Sequence, residues 1–181
     1  MLKSMRQFKI YTKTGDKGTT GLYSKKRLPK DDMIFECLGT NDELSCNVGL
    51  ALEYIKCEKL STQLVNIQSS LQLLNSNIAS DRGNPNTLFP EQKVTELENW
   101  IDEYDSQLPV LKNFILPSGG LASCQLHICR TICRRAERRA VSISELDSIV
   151  KIYLNRLSDY FFMAARYSCK IEDKEERIFL K

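Results

Sequence analysis

The sequence predicts an all-α protein that folds as a compact bundle of about five helices. Apolar residues recur at helical spacing through most of the chain, and the segments between these stretches are short and rich in turn-forming residues. The length of 181 residues fits a single domain with one core. With 42% hydrophobic and 27% charged residues, the composition is that of an ordinary globular protein.

The helices follow from caps and turn signals in chain order. Thr40 and Glu43 have the spacing of a capping box, which predicts a first helix from Thr40 to about residue 54. A second helix is predicted at about 59–79, and the turn-rich segment 80–90 leads from it into a third at about 91–107. After a loop at 114–120, we expect a fourth helix at about 122–141 and a fifth at about 145–169. The short connections favour antiparallel neighbours.

The fourth and fifth predicted helices each have one face suited to the core. On the fourth helix, this face consists of Ile128, Ile132, Ala136, Ala140 and Ile143. On the fifth, it consists of Leu154, Leu157, Phe161 and Ala164. The opposite face of the fifth helix carries Asn155, Asp159, Phe162 and Arg166. That face is either solvated or, as the aromatic Phe162 indicates, a contact between subunits.

Charge and cysteine content argue against several classes of protein. The net charge of +3, from 26 basic and 23 acidic residues, is too small for a general nucleic-acid binder. Seven cysteines form no CxxC pair and leave one unpaired in any disulfide scheme, which indicates a reducing compartment and small core residues. A lone histidine, His127, argues against a four-ligand zinc site.

Targeting signals are scarce in the sequence. No apolar run is long enough for a membrane span, and no secretory signal is found. The basic segment 1–7 is either the remnant of an organellar targeting peptide or a frayed terminus.

The segment CRTICRRAERRA, residues 129–140, holds five arginines and one glutamate in twelve residues without a lysine. Arginine offers a planar fork of donors that holds phosphate or carboxylate in a fixed geometry. Arg130, Arg134 and Arg138 form one stripe along the helix, with Glu137 beside it. The stripe is therefore either a polyanion site or a solvated helix face.

A second candidate anion site lies near the start of the chain. The segment 9–32 places Gly15, Gly18 and Gly21 among threonines and lysines. Glycine lets backbone amides approach an anion, threonine adds hydroxyl donors and lysine adds charge. The glycine spacing differs from that of a Walker A loop. The segment is thus either a phosphate-binding loop or a flexible surface turn.

Six ordered motifs resemble the PduO-type ATP:cob(I)alamin adenosyltransferases. They are YTKTGDKGTT, RLPKDD, GTNDEL, FILPSGG, CRTICRRAERR and LNRLSDYFFMAARY. The match extends from residue 9 to residue 167, and is less distinctive between residues 53 and 112. This resemblance implies a five-helix bundle with a ferritin-like up-down arrangement, assembled as a homotrimer with active sites between subunits.

The resemblance also implies a reaction. Members transfer the 5′-deoxyadenosyl group of ATP to the cobalt of cob(I)alamin, which yields adenosylcobalamin and inorganic triphosphate. Reduction of cob(II)alamin supplies the Co(I) nucleophile, so no protein nucleophile is needed. Donors and Mg²⁺ that neutralise the triphosphate lower the barrier. A cobalamin reductase and an adenosylcobalamin-dependent mutase are the implied partners, with no nucleic acid or membrane.

Carried over by position, the family's ATP contacts fall on two groups of residues in this sequence. The first group is Thr12, Lys13, Thr14, Gly15, Thr20, Gly21 and Lys30. The second is Arg134, Arg135, Ala136, Glu137, Arg138 and Asn155. Arg134 is implied as the main charge stabiliser, while Glu137 and Asn155 orient the nucleotide or Mg²⁺. At Gly21, where some members carry a hydroxyl residue, only the backbone is available.

Three further residues acquire roles from the resemblance. Asp42 and Arg130 are implied to pair across the subunit interface, with effects on both assembly and activity. Phe114 matches an aromatic residue that displaces the lower axial ligand of cobalamin and so raises the Co(II)/Co(I) potential. The alternative for Phe114 is a buried core phenylalanine.

Two rival functions come from other classes. An arginine-rich helix on a bundle is also compatible with a salt-sensitive RNA, DNA or acidic-protein binding module, although few aromatic residues lie among the arginines. A ferritin-like metal protein would need Glu-x-x-His pairs that the sequence lacks.

The domain division expected for the single adenosyltransferase domain of residues 1–181 has four parts: a flexible terminus at 1–8, an ATP-loop segment at 9–38, a bundle at 39–170 and a tail at 171–181. The expected compartment is the mitochondrial matrix in a eukaryote and the cytoplasm otherwise.

Overall fold

The computed structural model describes residues 10–180 and has five helices and four short strands within that range. The helices are α1 (Met33–Leu52), α2 (Glu58–Ile78), α3 (Gln92–Gln107), α4 (Leu121–Val141) and α5 (Ser148–Ile171). The strands are β1 (Thr19–Gly21), β2 (Arg27–Pro29), β3 (Ile115–Leu116) and β4 (Arg177–Ile178). The predicted all-α class is confirmed, since the strands form only two small antiparallel pairs. The expectations for residues 1–8 lie outside the described residues.

The helices pack side by side in the spatial order α2, α1, α4, α5, α3. Chain connections alternate between the two ends of the bundle, which gives the up-down arrangement. The β1–β2 hairpin lies beside the end of α2, where the Tyr23 amide donates to the Ala79 carbonyl oxygen at 3.0 Å. The β3–β4 pair lies between the end of α3 and the start of α4. We refer to these as the hairpin end and the tail end.

The start of α1 differs from the prediction. The helix begins at Met33, with Asp32 as its N-cap: the Asp32 carboxylate accepts from the Ile34 amide at 2.9 Å. Thr40 lies inside the helix, where its hydroxyl donates to the Glu36 carbonyl oxygen at 2.6 Å. The capping box was therefore wrong, because an earlier Asp cap, worth about 1 kcal/mol, already starts the helix. Gly39, an internal glycine, is tolerated at a cost of about 1 kcal/mol.

The other helices lie close to their predicted positions. The bounds predicted for α2, α3 and α4 are confirmed to within a residue or so, and α5 begins at Ser148 rather than near residue 145. The predicted core face of α5 is confirmed, since all four of its residues are fully buried. On α4, Ile132, Ala136 and Ala140 are buried as predicted, but Ile128 is 47% exposed. Leu126, Cys129 and Cys133 take its place in the core.

The polar face predicted for α5 was wrong at one residue. Arg166 is only 3% exposed, although it shares that face with the exposed Asn155 and Asp159. Its guanidinium is satisfied at the tail end by the Glu176 carboxylate and the Pro109 carbonyl oxygen. Segments that follow α3 and α5 cover this end of the helix, which helical spacing alone does not reveal.

The cysteines are free thiols throughout the described range. The core interpretation is confirmed for Cys37, Cys129, Cys133 and Cys169, which are buried, and is wrong for Cys46, which is exposed. Among residues 10–180, no helix is both long enough and apolar enough to cross a membrane.

Candidate functional site

Four of the five arginines of α4 form two pairs that face different surroundings. Arg135 and Arg139 face α1, where they form ion pairs with Glu43 and Glu36; the Arg139–Glu36 distance is 2.8 Å. Arg139 also donates to the Glu36 carbonyl oxygen at 3.1 Å and to the Thr40 hydroxyl. These two side chains join α4 to α1.

Arg134 and Arg138 point away from the core and are exposed. The Arg138 guanidinium donates to the Arg134 carbonyl oxygen at 3.1 Å, which holds its position against the helix. Ala136, another expected ATP contact, is fully buried, so its methyl group cannot reach a ligand at the surface. Of this helix segment, Arg134 and Arg138 thus offer free cationic charge.

Glu137 and Asn155 are brought together by the packing of α4 against α5. The Asn155 side-chain amide donates to the Glu137 carboxylate at 2.8 Å. Because a carboxylate has two oxygens and several lone pairs, the bond leaves Glu137 able to accept from water or to ligate a cation.

A first cleft, of about 540 Å³, opens between α3, α4 and α5. Arg130 and Arg134 line it on one side, and Glu98, Asp102 and Asp159 contribute acidic groups on the other. Arg156 lies between the two helices that carry these acids, donating to Glu98 at 3.0 Å and to Asp159 at 3.2 Å. The cleft therefore carries charged groups of both signs, and because Arg156 of α5 is paired with acids, its unpaired positive charge lies on α4.

A second cleft, of about 970 Å³, extends from the first towards the tail end. Phe114 lies at its rim and is 84% exposed, so the alternative of a core phenylalanine is excluded. The other apolar lining residues are Leu111, Ile115, Pro117, Phe162, Phe179 and Leu180. Arg130 and Phe162 line both clefts and form the junction between them. The combined groove runs from a polar to an apolar environment.

His127 and Arg130 lie one helical turn apart in the wall of the second cleft. Burial, and then the positive charge of Arg130, lower the pKa of His127 to about 4, so its imidazole is neutral near pH 7. Burial and the neighbouring Arg134 also lower the pKa of Arg130. The Nε atom of Arg130 is buried and has no hydrogen-bond partner among residues 10–180. Such an atom needs an acceptor from elsewhere.

The glycine-rich loop at the hairpin end has a defined internal structure. The Arg27 guanidinium donates to the carbonyl oxygens of Thr14 at 2.8 Å and Thr19 at 2.9 Å. The hydroxyl groups of Thr12 and Thr14 are 2.9 Å apart. Arg27 thus ties β2 to both ends of the loop, a role that sequence patterns did not reveal because it depends on hairpin register.

Lys30 approaches the same loop from the end of β2. Its amide donates to the Gly18 carbonyl oxygen at 2.9 Å. A Cβ atom at Gly15 would lie only 3.1 Å from the Lys30 Nζ atom, so the absence of a side chain allows the ammonium group to lie close to the loop backbone. Lys13 and Gly18 lie at the two ends of the turn and adopt positive φ angles of 59° and 78°. Thr20 and Gly21 follow in β1. The structure therefore gathers the first group of predicted ATP contacts.

The predicted site residues form two separate sets within one chain. The lining of both clefts comes from residues 98–180, with no contribution from the loop at 12–21 or from Lys30. Asp42 is exposed on α1 and forms no ion pair with any residue in the described range, so the expected Asp42–Arg130 pair does not form within the chain. His127, Phe179 and Leu180 also line the groove, although sequence reasoning assigned none of them to a ligand.

Comparisons with known proteins find similar chains over most of the sequence. The family model described as "Cobalamin adenosyltransferase" matches residues 10–168. The chain is 49% identical to the mouse corrinoid adenosyltransferase MMAB over 184 residues, which covers 96% of this chain and 78% of the mouse protein. It is 46% identical to a corrinoid adenosyltransferase of Bacillus subtilis, covering 87% and 85% of the two chains.

A solved structure gives a similar result. It is a variant of a PduO-type ATP:corrinoid adenosyltransferase from Lactobacillus reuteri complexed with cobalamin and ATP. The TM-score is 0.90 at 38% identity, with 96% of this chain and 100% of that chain covered.

Proposed function

This chain belongs to the cobalamin adenosyltransferase family, and from that membership we propose how its own residues bind the two substrates. The protein is a corrinoid adenosyltransferase that acts on ATP and cobalamin. Cob(I)alamin attacks the 5′ carbon of ATP; a cobalt–carbon bond forms, the carbon–oxygen bond to the phosphate chain breaks, and triphosphate carries away the electron pair. The chemistry requires cationic stabilisation of the leaving group and an apolar site for the corrin.

The observation that carries the proposal is the joined groove along α4 and α5. Its polar part contains Arg134, and its apolar part contains Phe114, with Arg130 and Phe162 at the junction. A polyanionic nucleotide fits the first part, and the apolar face of a large corrin ring fits the second. This gradient also distinguishes the site from a nucleic-acid surface, which would be basic along its length.

We assign the triphosphate to cationic groups of α4 and of the hairpin end. Arg134 and Arg138 are exposed, whereas Arg135 and Arg139 are engaged with acids of α1. Lys30 and the backbone of Thr12, Lys13, Thr14 and Gly15 add donors from the loop, with Thr20 and Gly21 beside them. Donors already held in position need little reorganisation as charge develops on the leaving group.

Mg²⁺ is proposed to enter with ATP. The described residues contain no group of three or more His, Cys, Asp or Glu able to hold a metal ion. Mg²⁺ in nucleotide sites is commonly bound by phosphates, waters and one or two carboxylates, and the Glu137 carboxylate beside Asn155 suits such a single contact. The ion would neutralise part of the triphosphate charge.

The complete site is proposed to form between subunits of a homotrimer. Three features support this: the loop and the groove are separate in one chain, Asp42 is exposed, and the Arg130 Nε atom is buried without an acceptor. Asp42 of a neighbouring subunit would supply that acceptor. Ile128, Val141 and Leu121 on α4 are also exposed and apolar, as expected of a helix at an interface.

Phe114 is proposed to contact the lower face of the corrin. An exposed aromatic ring at the rim of an apolar cleft has room to meet a flat ligand. A phenyl ring has no donor atom for cobalt, so its presence below the metal would favour loss of the axial ligand and easier reduction of Co(II).

The substrates and product of the reaction also imply partners for the enzyme. We propose a cobalamin reductase as the source of Co(I) and an adenosylcobalamin-dependent mutase as the recipient of the product. The similarity to mammalian proteins supports an enzyme of eukaryotic type, for which the mitochondrial matrix is the expected compartment.

An anaerobic assay tests the proposed function. Purified protein is mixed with chemically reduced cobalamin and Mg·ATP, and the corrinoid and phosphate products are identified by mass. Adenosylcobalamin with triphosphate is the expected result. Cobalamin and ATP binding without transfer would contradict the assignment of the groove as a catalytic site, and sedimentation of the same sample decides the trimer.

A further inference from the structure

The position of Phe114 depends on its backbone rather than on packing of its ring. The side chain is 84% exposed, so few contacts within the chain hold it in place. Its carbonyl oxygen accepts from the Phe179 amide at 2.8 Å, beside the β3–β4 pair. Each of these strands has only two residues, and a pair of that size is not stable by itself. Another part of the molecule must hold this frame.

Arg166 lies beneath the frame and contacts both of its sides. Its Nε atom donates to the Glu176 carboxylate at 2.9 Å, immediately before β4. Its Nη2 atom donates to the Pro109 carbonyl oxygen at 2.8 Å, at the start of the segment that leads to Phe114. The side chains of Arg166 and Glu176 are 3% and 23% exposed. A single buried guanidinium therefore links the two segments whose pairing places Phe114.

The residue type matters at this position. The fork of arginine donates to two acceptors in fixed directions, whereas the lysine ammonium is a point charge on a flexible chain. Because buried ion pairs contribute little net stability compared with apolar residues of similar size, we look for the role of this pair in fixing one arrangement of the two segments. Arg166 is also anchored in α5, the helix that contributes Phe162 to the groove.

A second set of contacts holds the other side of the same loop. The Ser118 hydroxyl accepts from the Arg177 amide at 2.8 Å, and the Ser118 carbonyl oxygen accepts from the Ser123 hydroxyl at 2.7 Å. At Gly119, where φ is +93°, a Cβ atom would lie 2.5 Å from the Cys169 sulfur. The loop is thus pressed onto α5 after Phe114, and Arg166 supplies the matching attachment before it.

On the basis of the proposed role of Phe114, we infer that Arg166 is a positioning residue for cobalamin. Through Glu176 and Pro109, it fixes the β3–β4 frame and holds the Phe114 ring over the apolar part of the groove. It touches neither substrate. Its loss should displace the ring and impair the cobalamin step, while the ATP-binding groups stay in place.

The test compares Arg166→Lys, Arg166→Gln and Glu176→Ala with the unchanged protein under anaerobic steady-state conditions. We expect kcat/KM for cob(II)alamin, measured with a reductant too weak to reduce free cob(II)alamin, to fall about tenfold to a hundredfold, because small displacements of positioning groups have effects of this size. The KM for ATP should change less than about twofold. Lysine should not rescue the loss. Lys59→Gln is the matched control, since it removes an ion pair that joins α2 to α3.

A double-mutant cycle with Phe114→Ala separates positioning from general loss of structure. If Arg166 acts through the Phe114 ring, Arg166→Gln should add little to the defect of Phe114→Ala. Independent, multiplied losses, or equal changes in both KM values, would overturn the inference. If the single variant Phe114→Ala leaves the cobalamin step intact, the proposed role of Phe114 fails. If Phe114→Ala impairs that step but the Arg166 and Glu176 variants leave it intact, only the inference about Arg166 fails.

Thermal melts accompany the kinetics. If both Arg166 variants fail to fold, Glu176→Ala decides the question, because Glu176 lies outside the helices and the variant removes the acceptor of the Arg166 Nε atom. A folded Glu176→Ala protein with unchanged cobalamin kinetics would overturn the inference.

Discussion

The Asn155 amide on α5 donates a 2.8 Å hydrogen bond to the Glu137 carboxylate on α4. The bond spans the contact between α4 and α5, where the exposed Arg134 lies one turn before Glu137 and the exposed Arg138 directly follows it. It fixes the direction of a single carboxylate among cationic groups. Glu137 is therefore oriented before a nucleotide or metal ion arrives.

The Asn155–Glu137 bond leads to a prediction about ATP binding. Replacing Asn155 with Ala frees the Glu137 carboxylate, and the KM for Mg·ATP should rise about five- to tenfold, the effect of a hydrogen bond to a charged group. Asn155→Asp should have a larger effect, since two carboxylates then repel each other. Steady-state kinetics at several Mg²⁺ concentrations measure both. An unchanged KM in both variants would show that the orientation of the Glu137 carboxylate does not affect ATP binding.

Arg134 and Arg139 should respond differently to replacement with Ala. Arg134 is exposed in the polar cleft, so its loss should reduce turnover by more than about a hundredfold, as for other lost charge stabilisers, with the helical circular dichroism unchanged. Arg139 pairs with Glu36, and both side chains are partly exposed, so its loss should lower the free energy of unfolding by about 1 kcal/mol or less. Turnover assays and urea denaturation make the comparison. A loss of stability in Arg134→Ala together with a loss of turnover in Arg139→Ala would contradict both assignments.

Arg27 should control the glycine-rich loop. Its guanidinium donates to the carbonyl oxygens of Thr14 and Thr19. Arg27→Ala should release the loop and raise the KM for ATP about tenfold, with the KM for cob(I)alamin unchanged. Lys26→Ala removes a neighbouring positive charge and serves as the control. Equal effects of the two variants would mean that charge, and not the clamp, is responsible.

Sequence patterns predicted the helices better than the contacts between them. Repeats of apolar residues depend on local geometry, so the positions of α2 to α5 were predicted closely. The predicted start of α1 was wrong because the segment contains two possible N-cap residues, Asp32 and Thr40. Likewise, helical spacing grouped the arginines of α4 but could not separate Arg135 from Arg134, since that division depends on where α1 packs. The burial of Arg166 depends on distant segments that cover α5. Contacts of this kind require the tertiary structure.

Asp42 and Arg130 give a prediction about assembly. Asp42→Asn and Arg130→Gln should each weaken the trimer and reduce activity, because each leaves a charged partner without its counterpart at the interface. The exchange Asp42→Arg with Arg130→Asp should recover part of the assembly. Analytical ultracentrifugation across a range of protein concentrations measures this. A stable trimer in both single variants would contradict the intersubunit pair.

His127 gives a prediction about stability and pH. Burial, and then Arg130, lower its pKa from 6.5 to about 4, so between these values the unfolded chain binds a proton that the folded chain does not. Stability linked to this group is therefore fully present above about pH 6.5 and is lost as the pH falls towards 4. His127→Phe removes the titrating group, and its free energy of unfolding should decline less over this window than that of the unchanged protein. Urea denaturation at pH 7, 5.5 and 4.5 compares the two. Parallel curves would mean that His127 is not held neutral in the folded state, and that its imidazole carries charge beside Arg130 in the groove.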